Sequence, residues 1–189
     1  MTLIVGVDEV GRGCLAGPVY AAAVVMGEDQ TLAGLKDSKL LSIKKRKELF
    51  ESIVSNCYEH SLGCQNNKEI DQLNILNASL KAMELAIDQI KIDFRKGYID
   101  GPYLPKTLLG QEIKFKPIIG GDKIFPCISA ASIIAKVSRD QYMNELDNRY
   151  PDYGFKKNKG YPTKEHIHAI KELGPTPFHR LSFKSELYD

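Results

Sequence analysis

The chain of 189 residues carries almost no net charge, +2 from 26 Lys and Arg against 24 Asp and Glu. Bulk attraction to an anionic partner is therefore excluded, and any affinity for nucleic acid has to come from a local basic face. Cysteine is scarce. Cys14, Cys57, Cys64 and Cys127 form no C-x-x-C pair and have no histidine at zinc-finger spacing. That pattern argues for reduced thiols in core or near-core volume, not a disulfide framework or structural zinc. Long apolar runs are also missing. The longest, Val19 to Met26, is far too short to span a bilayer. The opening MTLIVGVDEV has no basic segment and bears two carboxylates, which makes a poor signal peptide. The expectation is a cytoplasmic protein without membrane association. No internal repeat or low-complexity tract is present. The 43% hydrophobic and 26% charged composition is that of a globular chain, and the length suits one domain.

Leu3 to Val7 is an apolar, β-branched run, read as a buried strand that Gly11-Arg12-Gly13 breaks. Pro18 to Met26 is a second strand, and the short glycine-rich link suggests an antiparallel pair. Ser42 is placed to cap a helix from Ile43 to about Ser55, with Leu49, Phe50, Ile53 and Val54 as its apolar stripe. Cys57 to Gly63 reads as a third strand, and Asn74 to about Ile92 as one helix. Asp100 ends a few residues of strand character before Gly101-Pro102, and Lys114 to Ile119 is another short strand. Pro126 opens a long helix to about Tyr150. Thr163 caps a last helix, Lys164 to Leu173, stopped by Gly174-Pro175. The order predicts a mixed-sheet α/β layer fold with a helical C-terminal end.

Four carboxylates, Asp8, Glu9, Asp100 and Asp122, fall at strand ends or helix starts, each beside or near glycine. Glycine lets a backbone or bulky ligand approach closely. Acidic groups converging on one sheet edge repel one another unless a cation neutralises them. All-oxygen ligation favours a hard ion, Mg²⁺ or Mn²⁺, and two such ions can clamp the attacking water and leaving oxygen of a phosphoryl displacement. Each acid also has an ordinary explanation: Asp122 as a helix cap, Asp100 as the start of a turn. Adjacent strand residues point to opposite faces. Asp8 and Glu9 therefore share a site only if the strand ends or twists there, or if Glu9 contributes its backbone carbonyl.

Asp8-Glu9-Val10-Gly11-Arg12-Gly13 followed by Ala16-Gly17-Pro18-Val19 resembles the opening of type 2 ribonucleases H, the ribonuclease HII family. The resemblance continues through Asp37-Ser38-Lys39, Ile70 to Leu76, Asp100-Gly101-Pro102, Gly121-Asp122, Ile128 to Val137, Arg139-Asp140, Lys159 to Thr163 and His179 to Phe183. It implies an RNase H-like fold over residues 1–189, with 150–189 as a C-terminal substrate-binding extension. It also implies an endonuclease that cuts on the 5′ side of a ribonucleotide, leaving a 3′-hydroxyl and a 5′-phosphate. The implied substrates are RNA–DNA hybrids and DNA duplexes containing single ribonucleotides. Carried over, the metal ligands would be Asp8, Glu9, Asp100 and Asp122. Gly11-Arg12-Gly13 would contact the ribonucleotide and its 2′-hydroxyl, and Tyr161 would pack on the sugar of the next deoxynucleotide.

The residues themselves suit those roles. The 2′-hydroxyl is what distinguishes RNA from DNA at one sugar, and a glycine-flanked turn exposes backbone polar groups to it. Lys39, Arg180 and Ser182 are candidate phosphate contacts, which would position a duplex without reading sequence. The Lys44-Lys45-Arg46-Lys47 run reads first as a solvated helix face, and Lys156, Lys157 and Lys159 precede Tyr161. Leu40 stands where a second lysine often follows Asp37-Ser38-Lys39 in the family. His60, His166, His168 and His179 read as non-catalytic, since two-metal hydrolysis needs no histidine. A monomer is expected. Two other readings stay open: a catalytically silent nucleic-acid-binding module, and another RNase H-like phosphoryl-transfer enzyme. Four retained acids oppose the first, and a 2′-hydroxyl sensor opposes the second.

Overall fold

The computed structural model describes residues 2–35, 41–111 and 114–183. Among these, five strands build one sheet: β1 (Leu3–Val10), β2 (Val19–Gly27), β3 (Glu59–Gln65), β4 (Lys96–Asp100) and β5 (Phe115–Ile118). Their spatial order is β3-β2-β1-β4-β5. β1 and β2, and β2 and β3, run antiparallel, whereas β1, β4 and β5 run parallel. The helices are α1 (Ile43–Asn56), α2 (Asn67–Leu73), α3 (Ile75–Asp88), α4 (Pro126–Arg149), α5 (Phe155–Asn158) and α6 (Lys164–Leu173). This is the mixed, helix-flanked sheet that the strand and helix order predicted.

Strand alternation sorts side chains into two cores. Val5, Val7, Ala21, Ala23, Val25 and Ile99 face α3, with Ala78, Ala82 and Ala86 packed on them. Ile4, Ala22, Val24, Met26 and Tyr98 face α4, against Ile128, Ala131, Ile134 and Ala135. A sheet covered on both faces needs apolar residues at successive positions, hence the unbroken apolar run of β2. α4 lies so close to the sheet that a Cβ on Gly6 would stand 2.1 Å from the Cys127 carbonyl carbon. A third cluster joins Leu15 and Ala16 to Met143, Leu146, Tyr153, Phe155, Ala169 and Ile170, tying the C-terminal helices to the link between β1 and β2.

Three expectations change. β1 runs on to Val10, because Asp8, Glu9 and Val10 still pair with Ala22, Ala21 and Tyr20. The helix expected from Asn74 to Ile92 is α3, which stops at Asp88, and an unexpected short helix, α2, precedes it, set off where Asn74 takes φ +65°. Asn66 starts α2 with a capping box, its side chain on the Glu69 N–H and Glu69 on the Asn66 N–H; Asn74 caps α3 through the Asn77 N–H. Of the four cysteines, Cys14 and Cys127 are buried, whereas Cys64 is exposed and Cys57 half-buried. Among the described residues no helix is long and apolar enough to cross a membrane. Gly6→Ala forces the sheet and α4 apart. We expect it to destabilise the protein by about 2 kcal/mol or more, read from the midpoint of denaturant unfolding at unchanged slope.

Candidate active site

In the parallel β1–β4 pair, Val7 stands opposite Ile99. One residue further, Asp8 and Asp100 therefore stand side by side at the carboxyl ends of adjacent parallel strands, the edge where open α/β sheets hold their ligands. Both lie on the α4 face. Asp8 is buried, accepts the Glu9 N–H at 2.7 Å, and takes a hydrogen bond from Ser132 on α4. Asp100 Oδ1 accepts the Gly121 N–H at 2.7 Å. Glu9 ought to face away, but β1 ends at the next residue and the chain turns at Gly11. Its carboxylate, paired with Arg12 at 3.2 Å, lines the same open cavity of about 390 Å³. Ser132 and Lys136 of α4, Arg46 of α1 and Tyr161 complete the wall.

The cavity is electrostatically unbalanced. Burial pushes the Asp8 carboxyl well above the usual carboxylate range, and the charges of Glu9 and Asp100 push it further, against the Ser132 hydrogen bond. Burial also raises Glu9, opposed by Arg12. Lys136 Nζ is engaged with Asp140 at 2.7 Å.

Beside the acids lie two loops. Gly11 has φ +95°, and a Cβ there would lie 2.3 Å from Arg139 Nε, so the Gly11-Arg12-Gly13 turn rests directly on that guanidinium. Arg139 is fully buried and donates to the carbonyls of Pro18, Ala16 and Lys159. The 158–161 loop meets the same segment: the Leu15 N–H donates to the Gly160 carbonyl at 2.7 Å. Tyr161, 38% exposed, stands on this loop with its side chain hydrogen-bonded to Cys14 and its ring 5.9 Å from Lys136 Nζ.

The family model for ribonuclease HII matches residues 5–186. The ribonuclease HII of Coxiella burnetii is 50% identical over 182 residues, covering 96% of this chain and 88% of that protein. The crystal structure of ribonuclease H2 from Pyrococcus horikoshii superposes with a TM-score of 0.83 at 25% identity, covering 99% of this chain and 97% of that one. The ribonuclease HII of Archaeoglobus fulgidus, solved in complex with PCNA, gives a TM-score of 0.77 at 27% identity over 96% of this chain and 95% of that one. The chain belongs to the ribonuclease HII family. It is accordingly a metal-dependent endoribonuclease of the ribonuclease H class.

The donor set fits the metal dependence of ribonuclease HII. Oxygen ligands suit a hard divalent ion, and carboxylates held above their usual pKa by burial and by each other lack only positive charge. The acids are gathered but not clenched: among the described residues no three His, Cys, Asp or Glu side chains stand within joint reach of one ion.

Three expected site residues, Asp122, Arg180 and Ser182, are placed differently from Asp8, Glu9, Asp100 and Tyr161. Asp122 is buried in a 3-10 turn, Gly121–Lys123. It lines a separate cleft of about 50 Å³ with Leu35 and Ser129, not the wall shared by Asp8 and Asp100, although its neighbour Gly121 is bonded to Asp100. Arg180 was expected to touch the duplex backbone but does not reach the surface. It is fully buried, donates to the carbonyls of Gly17 and Arg12 at 2.9 and 3.0 Å, and is lowered by desolvation to about 10. Its Nε and Nη1 go to the loop carbonyls, whereas Nη2 is buried without a hydrogen-bond partner among the described residues. Ser182 is exposed, but its hydroxyl and N–H are both turned to Asp71. Lys39 lies outside the described residues.

Ser132, Lys136, Arg46 and Arg139 were not among the expected site residues. Ser132 and Lys136, four apart on α4, share a face, a signal that acquires meaning once that face is known to meet β1. Arg46 belongs to the run read as solvated, yet it turns into the cavity and bonds the Leu41 carbonyl at 2.9 Å.

A raised carboxyl pKa means that the folded state holds a proton the unfolded chain has released. Its unfavourable contribution to the metal-free fold is thus absent at low pH and grows as pH rises from the unfolded value toward the raised one. Asp8→Asn neither ionises nor binds a proton, so it abolishes that penalty. We expect it to raise the thermal midpoint of the metal-free protein by about 2–4 °C, the shift of ~1 kcal/mol in a chain of this size, as read by calorimetry in chelator.

Proposed function

We propose that this ribonuclease HII hydrolyses the phosphodiester on the 5′ side of a ribonucleotide, in RNA–DNA hybrids and at single ribonucleotides in duplex DNA. The products are a 3′-hydroxyl and a 5′-phosphate. The observation that carries this reading is one cavity in which the Asp8, Glu9 and Asp100 carboxylates face Tyr161, with the Gly11-Arg12-Gly13 turn as its neighbour. Residues 150–189 act as the substrate-binding extension of a single RNase H-like domain, since Tyr161 belongs to them.

Asp8, Glu9 and Asp100 would hold two divalent ions, Mg²⁺ or Mn²⁺, with Asp122 as a fourth ligand joined to Asp100 through Gly121. When bound, such ions supply an acidified water and positive charge for phosphodiester hydrolysis. Ser132 fixes the orientation of Asp8. Lys136 and Arg46 put cationic groups on the wall where a scissile phosphate would enter. Arg46 also lines an adjoining cleft with Lys47, Lys156 and Lys159, a basic path for the phosphates that follow. Contacts of this kind are salt-sensitive and sequence-blind.

Arg139 and Arg180 hold the Gly11-Arg12-Gly13 turn from beneath, so its upper side is free for a sugar. Gly13 is exposed, and a Cβ there would meet nothing within 4 Å. Nothing in the fold requires glycine at this position, whereas a ligand laid against the turn would. Tyr161 offers a ring for the neighbouring sugar.

The test is a labelled DNA duplex holding one ribonucleotide, incubated with Mg²⁺, with Mn²⁺ and with chelator. Cleavage on the 5′ side of the ribonucleotide in either metal and none in chelator is expected. Gly13→Ala should melt like the wild type yet cleave about tenfold to a hundredfold more slowly. Cleavage of an all-DNA duplex at the same rate, or a Gly13→Ala protein of full activity, contradicts the reading.

A further inference from the structure

Two histidines outside the carboxylate cavity stand in an arrangement that fixes their protons. His166 of α6 and His179 in the C-terminal segment are both buried, at 0% and 1% exposure, with Nε2 facing Nε2 at 3.1 Å. The Thr176 backbone N–H donates to His179 Nδ1 at 2.9 Å. A backbone N–H can only donate, so His179 Nδ1 is an acceptor, and the neutral ring carries its proton on Nε2. That proton points at His166 Nε2, which must accept it. His166 then carries its own proton on Nδ1, which lies 2.9 Å from the Tyr161 carbonyl. Each donor meets an acceptor from Thr176 to Tyr161, and a single tautomer pair satisfies the chain.

We propose that His166 and His179 are positioning residues for Tyr161, a tautomer-locked relay that anchors the Tyr161 backbone to the Thr176 segment through two neutral imidazoles. The proposal rests on the reading that Tyr161 touches the substrate. The Tyr161 carbonyl also accepts the Thr163 N–H at 2.8 Å, so the relay supplies its second donor, while Arg139 holds the same loop at the Lys159 carbonyl.

The surroundings keep both rings neutral. Phe155 of α5 stands edge-on to His166 at 5.4 Å, and Tyr153 tilts beside His179 at 5.4 Å. The Tyr153 hydroxyl is engaged with the Gly174 carbonyl at 2.6 Å. The Thr176 hydroxyl lies 2.9 Å from His179 Nδ1. Asn67 of α2 donates to the His179 carbonyl, not to its ring. The adjacent Arg180 directs its guanidinium to the Gly17 and Arg12 carbonyls. The charge of His166 acts on His179. Burial therefore lowers His166, and burial with the His166 charge lowers His179 to about 4. A proton added to either ring would set two N–H groups against each other and break the relay.

Two measurements test it. In ¹⁵N spectra of histidine-labelled protein at neutral pH, His179 should appear as the Nε2–H tautomer and His166 as the Nδ1–H tautomer. The reverse assignment, or an imidazolium at either position, overturns the relay. The second is a double-mutant cycle on cleavage of the single-ribonucleotide duplex, with folding checked by thermal melting. His166→Ala should slow cleavage about tenfold. His166→Asn, whose amide N–H can replace Nδ1–H at the Tyr161 carbonyl, should recover most of that loss. His166→Ala should add nothing once Tyr161 is Ala. A folded His166→Ala protein with the wild-type rate, or losses that multiply in the double variant, overturns the proposal. If Tyr161→Ala itself cleaves at full rate, the failure belongs to the substrate role of Tyr161; if Tyr161→Ala is slow and His166→Ala is not, it belongs to the relay.

Discussion

Asp8 and Asp100 carry like charges at the carboxyl ends of two adjacent parallel strands, with Glu9 beside them. Everything around this edge either maintains that repulsion or uses it. The strands hold the acids close because the apolar residues before them, Val5 and Val7 on β1 and Ile99 on β4, are locked in the sheet core. α4 closes one side, admitted by Gly6, and brings Ser132 onto Asp8. The resulting cavity is unfavourable for ionised carboxylates alone and favourable for the same carboxylates around a hard cation. On the proposed assignment of these acids as metal ligands, metal dependence is a property of the strand register.

A second constraint concerns the two loops facing the acids. The 11–18 segment and residues 159–161 contain no helix or strand. Two buried guanidiniums, Arg139 and Arg180, satisfy five of their carbonyls. Burying a cation without a carboxylate partner is costly, and charge-assisted hydrogen bonds to carbonyls offset part of that cost. The outcome is a preshaped turn of which Gly13 is the open part. Stability is given up at the carboxylates and at the arginines, and on the proposed reading pre-organisation for a substrate is gained at both.

Much of this was legible in the sequence, and the remainder was hidden for identifiable reasons. The β1–β2 hairpin, the Ser42 and Thr163 caps and the long helix from Pro126 follow from local signals, and α6 has the expected bounds. The acids at positions 8, 9 and 100 were recognisable by their place at strand ends. The parallel pairing of β1 with β4 was not, because the two strands are separated by three helices and two strands in the chain. Asn66 and Glu69 spell a capping box for α2, a helix of two turns too short to show a periodic apolar stripe, and Asn74 marks the start of α3 as expected. Arg180 looks like any surface arginine in sequence. Only the fold shows it buried beneath Arg12 and Gly17, just as only the fold brings His166 and His179 together across thirteen positions. Asp122 reads as one of four equivalent acids, yet the 3-10 turn at Gly121 turns it into a neighbouring cleft.

The central claim is that burial and neighbouring carboxylates push the Asp8 carboxyl well above the ordinary aspartate range, and that a divalent cation reverses this. The most direct measurement is the ¹³C titration of the Asp8 carboxyl, without divalent ions and with saturating Mg²⁺. The account predicts a midpoint well above that of an ordinary aspartate in the metal-free protein and a large fall when Mg²⁺ is present. An Asp8 that titrates at an ordinary value without metal, or whose midpoint Mg²⁺ leaves unmoved, would contradict it.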